Sequence, residues 1–340
     1  MTFDVRLHVS EVGWRTTLQD LGRRGSERLG VPRGGSADQG AARIANILVG
    51  NPQSRPVIES LGGAFAFVPS HDVLAAATGS VGRLTIGGCA VDAGQPLAVP
   101  AGIEIRIECS DAAARTYVAV NGELDAARFL GSVAPDSRMG FGQTVAADAE
   151  LHLATGVTRI DQPFLGRVLF HLPVPERHLP DGPWTIDIVA CAETDRIPGI
   201  RELLSTSGYH VTERSDHVGI RLDGPVLHPP DDSEIVSHGV PIGAIEIPHS
   251  DELIVLGRYR TLTAGYPIVG FATRLAQDLI GQARSGRELR FAWTDHHAAR
   301  TLSTRFEAEL AVLEAAAANA FAALDLPIGA SDALALSSKK

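Results

Sequence analysis

ERLGVPRGGSAD, residues 27–38, has a counterpart in IVSHGVPIGAIE, residues 235–246. The two share a Gly-Val-Pro-x-Gly core, at Gly30–Gly34 and at Gly239–Gly243. Each core reads as a strand end, a proline that fixes φ, and a glycine that tolerates positive φ or close backbone approach. Loops of this kind cradle ligands, and they also simply turn chains. Read as a repeat, the two cores mark related halves, with function expected between them.

Outward from these loops the chain is a series of short β-like runs broken by Gly, Pro, Asp and Asn. They include Phe3–Val9, Ala64–Pro69, Val81–Ile86, Ile103–Glu108, Thr116–Val120, Gly166–Leu172, Thr185–Val189, Ile242–Ile247, Leu253–Leu256 and Glu288–Ala292. With 35 Gly and 20 Pro, the expectation is a mainly β fold with few helices. One helix is predicted near Asp38–Val49, capped by Asp38 and stopped at Gly50-Asn51-Pro52, and a second near Thr273–Ala283. A C-terminal helix, about Arg300–Leu324, carries an apolar stripe of Leu302, Phe306, Leu310, Leu313 and Ala317. That stripe packs on the body or docks a neighbouring chain. The tail beyond Pro327 reads as frayed. The expected division is 1–190 and 191–295 for the two halves, with 296–340 as helix and tail.

Composition narrows the function. The chain has 340 residues, 44% hydrophobic and 21% charged, enough for cores without disulfides or metals. A net charge of −10 and a pI near 5.6 argue against nucleic acid or an anionic membrane as partner. The start MTFDVRLHVSEVGW alternates like a strand and lacks a signal pattern, so a cytoplasmic location is expected. Cys89, Cys109 and Cys191 are scattered, and read as small buried hydrophobes in a reducing compartment. No histidine spacing suggests a metal site. Of the 30 basic residues, only Lys339 and Lys340 are lysines. The folded body therefore offers no Schiff-base lysine, no phosphate-loop lysine and no lysine for attaching biotin. No covalently bound cofactor is expected; a nucleotide-hydrolysing P-loop for ATP, or covalently held biotin, would have to reside on another chain. Arginine remains as the cation, and its planar fork suits carboxylates, ureido groups and phosphates.

Two polar blocks carry the candidate chemistry. In TTLQDLGRRGSERLGVPRGGSADQGAARIANILVGN, residues 16–51, Gln19, Asp20 and Arg23 fall in a glycine-punctuated turn. Arg23 either clamps a carboxylate or carbonyl with Asp20 orienting it, or makes a surface ion pair. Asn46 lies inside an apolar helix, where its amide must reach a neighbouring backbone or a ligand. In the second block Arg221 sits in an alternating strand, facing solvent or a barrel interior. Glu246 lies between Ile245 and Ile247, with Arg260 close enough to pair with it across a hairpin. Thr263 and Tyr266 add hydroxyls on a loop with Gly265 and Pro267. Together these residues form either the polar floor of a small-molecule site or a charged exposed face.

The two blocks resemble the family called allophanate hydrolase subunit 2, also described as the biotin-dependent carboxyltransferase A and B subdomains, which includes the C subunit of 5-oxoprolinase and KipA-like proteins. The resemblance rests on TTLQDLGRRG, GVPRGGSAD and ANILVGN followed by Glu59. It continues through ARTYVAVNG with LGS, then SDHVGIRLDGP, residues 237–248, AGYP and GRELRF. It spans about residues 5–292. It implies tandem cyclophilin-like β-barrel subdomains and a subunit-1 (KipI-like) partner. Matched motif positions are Gln19, Asp20, Arg23, Asp38, Asn46, Arg221, Thr263 and Tyr266, with Arg23, Arg221 and Tyr266 implied to bind a substrate carboxylate or amide. Three departures stand out: the family's Ile-Gln-Val-Pro is Ile245-Glu246-Ile247-Pro248, its Asp-Arg-Gln-Thr-Thr-Gly-Gly-Tyr-Pro is residues 259–267 without the Asp and Gln, and His217-Val218 replace Arg-Met.

The resemblance implies a subunit of a heteromeric ATP-dependent amidohydrolase acting on 5-oxoproline or a related amide or ureido compound such as allophanate. The alternatives are a biotin-dependent carboxyltransferase component of urea carboxylase type, and a non-catalytic module that binds a KipI-like protein. The departures keep an altered substrate and reduced catalysis open.

Overall fold

The computed structural model describes residues 3–157, 160, 168–177, 179–227, 235–248 and 252–326. The chain forms two compact units, each discontinuous in sequence. The first comprises Met1–Gly22, Gln39–Arg177 and Phe306–Lys340; the second comprises Arg23–Asp38 and His178–Arg305. No division at single chain positions produces this arrangement. Residues 23–38 belong with the C-terminal barrel, so both Gly-Val-Pro-x-Gly loops lie in one unit rather than marking one half each.

The first unit is built from two antiparallel sheets around one core. One sheet has seven strands, in the order Glu123–Leu124, Glu150–Thr155, Phe3–Glu11, Ala64–Pro69, Ile105–Cys109, Val81–Ile86, Cys89–Ala90. The other has five, in the order Arg15–Gln19, Val57–Leu61, Arg115–Val120, Val73–Gly79, Leu97–Val99. Val5, Leu7, Val9, Phe65 and Phe67 meet Leu18, Ile58, Ala75 and Val118 in that core. The alternation that marks Phe3–Glu11 as a strand thus becomes an inner apolar row. The run Val73–Thr78 is buried on both faces because helix α1 (Gln39–Leu48) covers the outer one. Thr78 Oγ1 donates to Ala41 O at 2.8 Å, and Asn121 Nδ2 to Val49 O at 2.7 Å, fastening helix to sheet.

The second unit is a closed seven-stranded barrel. Its order is Trp184–Val189, Ile268–Ala272, Ala244–Glu246, Leu253–Leu256, Gly219–Asp223, Tyr209–Val211, Glu288–Trp293, closing on the first strand. All pairings are antiparallel except Trp184–Val189 with Glu288–Trp293. Closure leaves no free sheet edge. Helix α2 (Ile200–Thr206) packs on Glu288–Trp293. Helix α3 (Arg274–Ile280) starts at Thr273, whose side chain accepts from Ala276 N at 3.3 Å. A two-stranded ribbon pairs His238–Gly239 with Thr263–Ala264.

Helix α4 (His296–Ala323) carries the predicted stripe, with Phe306, Leu310, Leu313, Ala317 and Phe321 buried. Phe321 meets Phe170 edge-on at 5.5 Å, Arg43 pairs with Glu307, and Gln53 Nε2 donates to Glu314 Oε2 at 3.2 Å. Most of the stripe therefore packs on its own chain; Leu302, 45% exposed, lies outside it. The mainly β fold with a barrel, few helices and a C-terminal helix is the fold observed. The cysteines differ from expectation. Cys89 is exposed and the other two are half-buried, since a two-residue edge strand leaves Cys89 uncovered. Within the expected strand Gly166–Leu172, residues 166 and 167 lie outside the described residues, and Val168 makes only an isolated bridge to Leu97. No helix among the described residues is long and apolar enough to cross a membrane.

Candidate functional site

In the first unit, two of the singled-out side chains, Asp20 and Asn46, are committed to holding loops, and Gln19 bonds within its own strand. Asp20 follows the strand Arg15–Gln19 and is buried. Its Oδ1 accepts from Gly22 N at 2.8 Å and Ser132 Oγ at 2.6 Å, and its Oδ2 from Val133 N at 2.9 Å. It anchors the LGS loop. Asn46, fully buried in α1, donates to Arg55 O at 2.9 Å and accepts from Asn51 Nδ2 at 3.2 Å, closing the turn after the helix. Gln19 Nε2 donates to Thr17 Oγ1 at 3.1 Å. Its Oε1 is buried without a hydrogen-bond partner among the described residues.

The second unit gathers the charge. Residues 23–38 lie against the turn at 257–260 and the end of α3. Arg23 N donates to Arg33 O at 2.8 Å, and Gly34 N to Arg258 O at 3.0 Å. Gln282 Nε2 donates to Asp38 Oδ2 at 3.0 Å. Gly30, Gly34 and Gly243 take positive φ, the conformation both Gly-Val-Pro-x-Gly loops need. The loops meet around Arg260, whose Nε donates to Val240 O of the second loop at 2.6 Å. Burial lowers the pKa of Arg260; Glu27 opposes this, and Arg33 of the first loop adds to it.

The result is a concentration of arginine in a desolvated place. Arg23, Arg258 and Arg260 are buried and Arg33 is half-buried. Asp278, fully buried, answers Arg258 at 3.1 Å and Arg274 at 2.5 Å. Burial, ahead of every other cause, depresses Arg33, Arg258 and Arg260 below the ordinary guanidinium range. Arg24 and, more weakly, Arg274 add to the effect on Arg33 while Glu27 opposes it; Asp278 opposes the effect on Arg258, and Arg274 and Arg33 add to it. Arginine does not give up its proton in proteins, so these depressions express the cost of keeping charged guanidinium groups away from water. Arg33 Nε, Arg258 Nε, Arg260 Nη1 and Ser36 Oγ are buried without hydrogen-bond partners among the described residues. Such donors suit an anion with several oxygens, a carboxylate or a phosphate.

Glu246 occupies a separate polar position on the barrel strand Ala244–Glu246 and is buried. Its ladder neighbours are Ile254 and Ile268, and Arg260 is turned to Val240 instead. The expected Glu246–Arg260 pair is not formed, because the chain between them runs through the strand Leu253–Leu256 and its turn, not through a two-strand hairpin. Burial raises the Glu246 carboxyl to about 7; His238 opposes this rise and Glu193 adds to it. Arg221 lies on the barrel strand Gly219–Asp223 and donates through Nη1 to Glu252 Oε1, while Arg214 holds Glu252 Oε2 at 2.8 Å. Thr263 is exposed on the ribbon and Tyr266 is half-buried beyond it.

The structure thus gathers Arg23, Asp38 and Arg260 around residues 23–38, and leaves Arg221 with Glu252. Sequence reasoning passed over Arg33, Arg258, Arg274, Asp278, Glu193 and His238. Arg33 was legible, since it is the variable residue of the first Gly-Val-Pro-x-Gly core. Arg258 gave a weaker signal, two residues before Arg260. Among the described residues no group of three His, Cys, Asp or Glu side chains is placed to hold a metal ion.

Residues 29–293 match the family described as the carboxyltransferase domain, subdomain A and B. The chain belongs to this family. It is 28% identical over 296 residues to the C subunit of 5-oxoprolinase from Escherichia coli (strain K12), covering 84% of this chain and 90% of that protein. It is 25% identical over 334 residues to urea amidolyase of Lachancea kluyveri, covering 90% of this chain and 18% of that protein. Among solved structures, the crystal structure of TTHA0988 superposes with a TM-score of 0.72 at 29% identity, over 85% of this chain and 56% of that one. The K. lactis urea amidolyase superposes with a TM-score of 0.80 at 21% identity, over 90% of this chain and 20% of that one, a likeness of fold. This carboxyltransferase-family chain therefore spans most of the 5-oxoprolinase subunit and a fraction of the larger proteins.

Proposed function

We propose that the chain is one subunit of a heteromeric ATP-dependent amidohydrolase that acts on 5-oxoproline or a related small amide or ureido acid such as allophanate. The observation that carries the reading is the set of unfilled buried donors, Nε of Arg33, Nε of Arg258 and Nη1 of Arg260, brought together beside residues 23–38. Each of these substrates combines an amide-type bond with a carboxylate, which would satisfy the unfilled donors. The relative named as the C subunit of 5-oxoprolinase, nearly matched in length, supports the same class. A subunit-1 (KipI-like) protein is the proposed partner. ATP handling falls to partner subunits, since the only lysines are Lys339 and Lys340. The proposed location is the cytoplasm.

The test is reconstitution. Purified with its subunit-1 partner and the further subunit expected to complete the complex, the chain should support 5-oxoproline-dependent ATP hydrolysis. A stable complex that hydrolyses ATP with no dependence on 5-oxoproline or allophanate sinks the reading.

The family match favours a second reading, a carboxyltransferase component that takes a carboxyl group from biotin carried by another protein. The arginine cluster would then hold the transferred carboxylate. Avidin capture of a biotinylated protein with the complex, followed by carboxylation of urea, would select this reading.

A further inference from the structure

Two of the residues that depart from the family pattern touch one another. The turn at 257–260 carries Arg258 and Arg260 of the arginine cluster, with Tyr259 between them. The Tyr259 ring lies against that of His217, with centroids 4.8 Å apart and planes at 43°. The family pattern has an arginine where His217 stands and an aspartate where Tyr259 stands. Side chains of those types at neighbouring positions form an ion pair, whereas an imidazole and a phenol form a ring contact. The two replacements are therefore one exchange, a charged pair for a ring pair.

The local backbone fixes this meeting. The strands Gly219–Asp223 and Leu253–Leu256 pair with Gly219 opposite Leu256. Gly257 N then donates to Val218 O at 2.8 Å, which carries the pairing past the strand ends. Asp216 sets the other side of the contact, its Oδ1 accepting from Val218 N at 2.8 Å and Gly219 N at 3.2 Å. A Cβ at Gly257 would crowd His217 O at 3.2 Å, so glycine permits the close approach. Tyr259 is 5% exposed and His217 is exposed, so the imidazole lies on the solvent side of the phenol ring. Replacing one member alone would be costly. An arginine at 217 would bring an unanswered like charge to the turn that carries Arg258 and Arg260. An aspartate at 259 would be a buried carboxylate between two arginines in sequence, and would compete for Arg258 Nε and Arg260 Nη1, the donors that now stand unfilled. The ring pair avoids both.

We propose that His217 and Tyr259 act as one positioning unit: their ring contact holds the turn at 257–260 so that Arg258 and Arg260 keep their donors open to a substrate oxyanion. This rests on the amidohydrolase reading above, in which those donors take the substrate carboxylate. The same turn is also held by Gly34 N, which donates to Arg258 O at 3.0 Å. It is thus gripped by the first Gly-Val-Pro-x-Gly loop and by the segment His217–Val218. The two rings act through the arginines and not on the reacting bond. Their loss therefore shows in KM, with kcat largely kept.

The experiment is a double-exchange cycle in the reconstituted complex with 5-oxoproline. His217→Ala, at an exposed position, should raise KM about two- to tenfold with kcat little changed, the size of a lost ring contact. His217→Arg and Tyr259→Asp should each raise KM by at least as much. Combined in one chain, they should return KM to within about twofold of wild type. A double variant whose loss is the product of the two single losses, or an unchanged KM in His217→Ala, overturns the pairing and leaves the function standing. If Tyr259→Asp alone does not fold, recovery of a folded, binding chain by adding His217→Arg supports the pairing, and a double variant that also fails to fold overturns it. Melting temperatures of the isolated chains read the same cycle without turnover. The double variant should be more stable than the sum of the single losses, and strict additivity overturns the pair. A wild-type complex that opens no amide overturns the amidohydrolase reading and the substrate role with it.

Discussion

Gln282 Nε2 donates to Asp38 Oδ2 across 3.0 Å, with both side chains buried. Residues far apart in the chain are thus joined inside one unit. The amide sits just beyond α3, where Gly281 brings its backbone against Ala37. A Cβ at Gly281 would lie 2.5 Å from Ala37 O. Residues 23–38 are held by that close approach, by the Asp38 contact and by the Gly34–Arg258 backbone bond.

Gly281→Ala should loosen this segment. Gly281 has helical φ, so the added methyl brings no backbone strain, only overlap with a carbonyl. Overpacking of this kind costs about 1–3 kcal/mol. A urea melt should show that loss, and limited proteolysis should cut faster within 23–38. Unchanged stability and cleavage would show that the segment is held by other contacts.

Arg33→Gln separates a binding cation from a structural one. A half-buried guanidinium whose charge is poorly answered does not stabilise the ligand-free protein, so its removal should leave thermal stability equal or slightly higher. Affinity for 5-oxoproline should fall about tenfold, or about 1.4 kcal/mol. Titration calorimetry on the complex measures the second effect. A large loss of stability with unchanged affinity would make Arg33 part of the scaffold.

The sequence displayed more of the fold than of this cluster. Alternation in Phe3–Glu11 and apolar runs such as Ala64–Pro69 are local patterns, and each appeared as a strand. The motifs showed the family because several stand in order. Which unit residues 23–38 join is a long-range matter, set by Gly281 and Gln282 some 240 positions later. Asp20 and Asn46 looked like ligand residues because polar groups beside glycines resemble a site. Their oxygens are taken by Ser132, Val133 and Asn51, partners no spacing rule predicts. His238 lay within the quoted repeat, yet its meaning depends on Glu193 across the barrel unit.

Glu246 should make stability depend on pH with a definite sign. Its folded midpoint, about 7, lies above the ordinary 4.5, so between those values the folded state holds the proton more tightly than the unfolded chain. Stability from this group is full below about pH 4.5, declines as pH rises, and is lost above about 7. Glu246→Gln removes the titration. Its melting temperature relative to wild type should therefore rise from pH 5 to about pH 7 and level off above it. A constant difference across that range would place the carboxyl in an ordinary environment.

Two substitutions on α4 should behave oppositely, although both residues are apolar and lie on one helix. Phe321 is fully buried and meets Phe170 edge-on, within a cluster with Leu74, Ala98, Val157 and Ile160. Phe321→Ala removes a ring from a closed site and should cost about 3–5 kcal/mol. Leu302 is 45% exposed near the start of the helix, and Leu302→Ala should stay within about 0.5 kcal/mol. Chemical denaturation of the isolated chain measures both. If Leu302→Ala left stability intact but weakened assembly with the subunit-1 protein, the start of α4 would carry a docking role while Phe321 holds its far end to the first unit. Equal, large losses at both positions would contradict the burial difference on which the contrast rests.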